Sequence, residues 1–226
     1  QMCIRDSQKI IYSLDRPALC LIRMGENQGG PLYRTLLNWK AKANGTHEEP
    51  WDGMDANGVV KVLEKEKSDL VLYTMSLPRS SILITGSKSN SYPSDIKYKR
   101  FPLRPPHGNI LMHALHQRDL CSDFTIYVEV IDPQGSQDGI PVIKGTAAFN
   151  VSTEQNNAMK HMLREGIESY LYIGGVFLAE TPQQKVPFTL QLDTTKYANR
   201  EYVITVNIRT TEDHVGTYSM RAIVEN

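Results

Sequence analysis

Apolar residues alternate with polar ones in short runs along most of this chain, and Pro, Gly, Asn and Asp separate the runs. Alternation with a period of two marks a strand with one buried face. On that pattern strands are expected at 9–14, 18–24, 32–39, 59–63, 70–75 and 81–85, and again at 124–130, 142–151, 170–180, 186–192, 202–208 and 217–224. Gly174-Gly175 splits the 170–180 run into a hairpin, because glycines supply the positive φ angles of a tight turn. One segment has another period. Met159, Met162, Leu163 and Ile167 fall three and four apart within 153–168, with Thr153 and Glu154 as starters, which predicts a short helix. The whole reads as all-β: two β-sandwiches in tandem, with one short helix in the second.

Between the two blocks, residues 86–108 are dense in Ser, Pro and basic side chains and cannot bury enough apolar surface to fold alone. The expected division is 8–85, a linker at 86–108, and 109–226. Two sandwiches of about 100 residues each fit a chain of this size. Residues 1–7, Gln-Met-Cys-Ile-Arg-Asp-Ser, show neither strand alternation nor a signal-peptide pattern. They read as translated adapter sequence at the edge of an assembled fragment, so they are set aside as a non-native stub and the true N-terminus is expected to be missing.

The run Trp51-Asp52-Gly53-Met54-Asp55-Ala56-Asn57-Gly58 packs turn-forming residues into one corner: Asp and Asn cap backbone N–H groups and Gly supplies positive φ. With its flanking strands, residues 10–85, it resembles the Ig-like module of the bacterial flagellar hook-capping protein, which has a similar "WDG.D.NG" turn. Further on, the stretch GGVFLAETPQQKVPFTLQLDTTKYANREYVITVNI is similar to cadherin-like and bacterial Ig-like modules. Asp193, Thr194 and Thr195 fall on the corner of that pattern, Tyr197 on its apolar position and Tyr202 at the start of the penultimate strand, while Arg200 replaces its usual Gly. The resemblances imply tandem Ig-like sandwiches, a structural or binding role, and an extracytoplasmic place such as the periplasm, cell surface or medium. They bring no catalytic residue with them.

Lys and Arg number 25, as do Asp and Glu, so no surplus of charge steers the chain toward nucleic acid or anionic lipid. No run reaches the roughly 18 apolar residues of a membrane span. With Cys3 set aside, Cys20 and Cys121 lack the paired spacing of a zinc knuckle or a disulfide framework and read as buried thiols.

Candidate chemistry is sparse. His113 and His116 would share one face of a helix and could hold zinc with Asp119, His161 or Cys121 as third ligand, but the surrounding pattern is strand or coil, where residues three apart diverge. Asp52, Asp55 and Asn57 could offer oxygens to Ca²⁺, as could Glu129, Asp132 and Asp138, yet self-capped turns explain both sets without an ion. No metal or other cofactor is expected. The sequence contains no nucleophile elbow, phosphate loop, His-Glu-x-x-His pair or dinucleotide fingerprint, so an enzyme is not expected. Tyr92, Tyr98 and Phe101 interleave with Lys99, Arg100 and Arg104 in the linker, a surface suited to protein subunits of a larger assembly or to sugar rings. The leading expectation is a non-catalytic structural or assembly component of a bacterial cell-envelope or extracellular complex. The alternative is an accessory module of a larger enzyme that binds carbohydrate or a metal-supported ligand.

Overall fold

The computed structural model describes residues 2–5, 9–27, 29–76, 123–154, 166–183, 185–210 and 214–226. Their architecture is all-β. The first six strands are β1 (Met2–Arg5), β2 (Lys9–Leu14), β3 (Ala18–Glu26), β4 (Leu32–Lys42), β5 (Gly45–Pro50) and β6 (Ser68–Ser76). They form two antiparallel three-stranded sheets, β1-β2-β5 and β4-β3-β6. Alternation decides which side chains go inward: Ile10 and Tyr12 of β2, then Ala18, Cys20, Ile22 and Met24 of β3, are buried in one cluster with Tyr33, Leu37, Trp51, Val60 and Val62.

The remaining strands are β7 (Phe124–Ile131), β8 (Gly135–Gln137), β9 (Ile140–Ile143), β10 (Thr146–Thr153), β11 (Ile167–Ile173), β12 (Val176–Gln183), β13 (Phe188–Asp193), β14 (Arg200–Thr210) and β15 (Val215–Val224). They run in the order β12-β11-β14-β15-β7-β10-β13, with β8 and β9 joined to the side of β15. The path folds over where β15 meets the start of β7 in a two-residue parallel pairing, Gly216 with Phe124 and Thr217 with Thr125. A second cluster fills the space inside this folded sheet and includes Ile126, Phe149, Val151, Leu171, Leu190, Ile204, Val206, Ile208 and Val224.

Several elements depart from the pattern-based expectation. The predicted strand 59–63 is instead a single bridge, Lys61 with Met54, running into a 3₁₀ turn at Val62–Glu64. Val62 N and Leu63 N both donate to Gly53 O, at 2.9 and 3.3 Å, so the Trp51 corner and not a sheet takes these N–H groups. β5 has almost no apolar residues and no alternation to detect, yet pairs with all of β2. Residues 2–5, set aside with the stub, pair with β2 from Met2↔Tyr12 to Arg5↔Lys9, because main-chain bonds need no side-chain pattern. The expected strand 142–151 is broken at Gly145, which has a φ of 62°. The expected helix loses its ends: Thr153 closes β10, and Ile167 and Glu168 open β11. Its centre, 155–165, lies outside the described residues, as do the strand at 81–85 and the linker.

Candidate functional site

β14 explains how the two halves meet. Ile204, Val206 and Ile208 face the second cluster, which leaves Val203, Thr205 and Asn207 on the opposite face. An outward face of this kind normally meets water. Here Thr205 and Asn207 are only 1% and 5% exposed, and Val203 packs against the first cluster. The first half of the chain covers this face. Asn207 Oδ1 accepts from Leu32 N at 2.8 Å and its Nδ2 donates to Leu32 O at 2.9 Å, so one side-chain amide satisfies both main-chain groups of a β4 residue. Thr217 Oγ1 donates to the same carbonyl at 2.6 Å. Asn57, from the Trp51 corner, accepts from Ser219 N at 2.9 Å.

Asp123 fastens the other end of the seam. Its carboxylate accepts from Arg23 Nε at 2.8 Å, Arg23 Nη2 at 2.5 Å and Val215 N at 2.9 Å, and from the Thr35 hydroxyl. Asn38 bonds both main-chain groups of Asp123, at 3.1 and 3.2 Å. The Arg23 and Asp123 side chains are 13% and 6% exposed, and a charge pair this dry is tolerable only because its lone pairs are filled.

Beside this seam lies a cleft of about 510 Å³ with walls from both halves: Tyr33, Val59–Lys61, Glu64 and Lys65 on one side, Gly174-Gly175 and Arg200–Val203 on the other. Gly174 and Gly175 form the β11–β12 turn with φ angles of 59° and 86°. A Cβ on Gly175 would lie 3.0 Å from Glu26 Oε1. That carboxylate accepts from the Tyr33 hydroxyl at 2.6 Å and faces Lys65 Nζ at 3.5 Å. Burial, and then the hydrogen bond to Glu26, push the Tyr33 hydroxyl well above the ordinary tyrosine range, so it stays protonated and donates. Glu64 pairs with Lys61 at 3.1 Å and Glu201 with Arg221 at 3.6 Å. The Arg200 guanidinium lies 4.6 Å from the centre of the Tyr202 ring, whose edge meets Tyr197.

The calcium candidates at the corner do not share a ligand set. Asp52 Oδ1 accepts from Met54 N at 3.1 Å and Arg34 Nη1 at 2.8 Å. Asp55 is buried, and its Oδ1 accepts from Val59 N and Val60 N at 2.7 and 2.9 Å while Oδ2 has no hydrogen-bond partner. Asn57 is committed across the seam. Among the described residues no group of three or more His, Cys, Asp or Glu is placed to hold a metal. Asp132 and Asp138 adopt positive φ of 51°, as turn residues do. At the second corner Asp193 accepts from Thr195 N at 3.1 Å, and Thr194 is buried and donates to Gly145 O at 2.8 Å.

His113, His116, Tyr92, Tyr98, Lys99, Arg100, Phe101 and Arg104 lie outside the described residues. Sequence reasoning missed the cleft because its parts are distant in the chain.

No family model and no curated protein matches the sequence. Among solved structures, an endo-β-1,4-mannanase from Thermotoga petrophila is 14% identical over 45% of this chain and 20% of its own, with a TM-score of 0.30. The extracellular domain of a hybrid two-component system from B. thetaiotaomicron is 9% identical over 53% of this chain and 17% of its own, at 0.31. A CARDB domain from Pyrococcus furiosus, solved with two metal ions, is 13% identical over 44% of this chain and 87% of its own, at 0.27. The chain thus aligns with a fifth or less of the first two. Scores of this size carry no assignment of ligand or activity. The hook-capping likeness has no counterpart among the structural matches.

Proposed function

We propose that this chain is a non-catalytic structural or assembly component of a bacterial cell-envelope or extracellular complex, in which two Ig-like sandwiches, 8–85 and 109–226, act as one stiff spacer. The observation that carries this reading is the seam. Modules joined only by a linker are expected to move relative to each other, whereas a large, well-bonded interface fixes them. Asn207, Thr217, Asn57 and Asp123 supply such bonds here. A spacer of fixed angle suits a protein that sets the distance between partner chains. The linker residues Tyr92, Tyr98, Lys99, Arg100, Phe101 and Arg104 are the surface we assign to those protein partners. No helix among the described residues is long and apolar enough to cross a membrane.

The test is the native mass and location of the chain in cells carrying its full reading frame. A particle of at least about twice the mass of one chain, in an extracytoplasmic fraction, is the expected result. A monomer in the cytoplasm would overturn the proposal. A second reading, an accessory carbohydrate-binding module, is favoured by one observation: the cleft has walls from both halves.

A further inference from the structure

We infer that Tyr172, Phe177 and Glu180, on the outer face of the β11–β12 hairpin, bind a neutral pyranose glycan. The inference rests on the second, carbohydrate-binding reading above and gives it a site and a ligand class. Antiparallel partners share a face, so the pairs Tyr172↔Phe177 and Tyr170↔Glu180 put all four side chains on one side of the hairpin. Thr205 and Asn207 of β14 lie on that same side, because Tyr172 pairs with Thr205 and Tyr170 with Asn207. The first half of the chain covers this face at β14 and leaves it open at β12. Exposure rises across the strands from 1% at Thr205 through 6% at Tyr172 to 47% at Phe177.

On the open shelf stand three groups without partners. The Phe177 and Tyr172 rings meet edge to face, with centroids 5.8 Å apart at 67°, so Phe177 is held in place while nearly half of it stays exposed. The Tyr172 ring is buried, yet its hydroxyl has no hydrogen-bond partner among the described residues and is not sealed from water. Burial, and then the Glu180 carboxylate, push that hydroxyl above the ordinary tyrosine range, so it stays protonated. Glu180 is exposed and makes no ion pair among the described residues. The Tyr170 hydroxyl, by contrast, is spent on Glu168 at 2.6 Å. An apolar ring, a donor and an acceptor thus lie side by side.

Those groups select the ligand. A pyranose has C–H groups for the ring and hydroxyls that both donate and accept, which answers Phe177, Glu180 and Tyr172 together. An ammonium answers the ring and Glu180 but has no acceptor for the Tyr172 hydroxyl, and an acid meets Glu180 with like charge. Addition of a peptide strand at the β12 edge is opposed by the strand itself. Its register shifts between Leu171 and Tyr172, and Pro182 has no N–H to give a ladder. The edge is blunted, and the face is what β12 offers.

Calorimetric titration of the 226-residue chain with cellotetraose, mannotetraose and maltotetraose tests the inference, with hexalysine and tetragalacturonate as charged controls. At least one neutral tetraose is expected to bind, and both controls to bind at least about tenfold more weakly. Phe177→Ala and Glu180→Gln should each weaken that tetraose by about tenfold. Tyr172→Phe should weaken it by about threefold to tenfold and leave the melting temperature unchanged, since the hydroxyl it removes holds nothing in the fold. Failure of all three tetraoses to bind overturns the inference together with the carbohydrate-binding reading. Binding that survives Phe177→Ala and Glu180→Gln keeps that reading and overturns the site. Equal or tighter binding of hexalysine or tetragalacturonate overturns the neutral ligand class. A Tyr172→Phe variant that melts lower yet binds like the parent makes the hydroxyl structural and overturns its place in the site. None of these outcomes bears on native mass or location, so failure here is distinguishable from failure of the spacer reading.

Discussion

Trp51 is 5% exposed and donates its Nε1–H to Met54 O at 2.9 Å, so one corner buries the ring and satisfies its only polar atom. Replacing it with Ala leaves a void in the smaller of the two clusters and removes that donor. The expected loss is about 3 to 5 kcal/mol, as for other buried aromatic truncations. Chemical denaturation measures it, and a loss below about 1 kcal/mol would mean that the corner is not part of the core. Much at this scale was legible. The Asp and Asn residues of the corner do cap backbone N–H groups, which follows from side-chain length alone. What the sequence hid was that Asn57 reaches Ser219, since nothing local distinguishes an Asn that caps its own turn from one that caps another sheet.

At the scale of elements, alternation located nearly every strand that buries one face and failed where burial was not periodic. β5 has almost no apolar residues, and the mostly apolar 59–63 run gives N–H groups to the Trp51 corner. The Gly174-Gly175 hairpin was legible from its turn residues; its contact with Glu26 was not. That contact can be measured. Gly174 has nothing within 4 Å of an added Cβ, so Gly174→Ala should cost only the backbone strain of positive φ, about 1 kcal/mol. Gly175→Ala should cost more, because its Cβ would press on the carboxylate that holds Tyr33 and Lys65. Repeating both changes in a Glu26→Ala background removes the extra cost if the argument holds. An excess that survives in that background would assign it to backbone strain instead.

The whole molecule turns on whether two clusters unfold as one body. Each half has its own buried cluster, which alone would permit independent melting, and the seam is what couples them. Asp123 is the seam residue with the most to lose. Removing it takes the carboxylate from the largely buried Arg23 and the acceptor from Thr35 and Val215 N together. Breaking one side of a buried pair costs about 3 to 5 kcal/mol, an amount comparable to the total stability of a small domain. The intact chain should therefore melt in a single calorimetric transition whose van't Hoff and measured enthalpies agree. Asp123→Ala should split it into two, since each half retains its own core and loses only the coupling. Asp123→Asn keeps an acceptor but not the charge and should fall between them. If Asp123→Ala melts in one transition at the parent temperature, the halves are coupled through the Asn207–Leu32 contacts, and the stiffness we assign to the spacer must come from β14 and not from the Arg23–Asp123 pair.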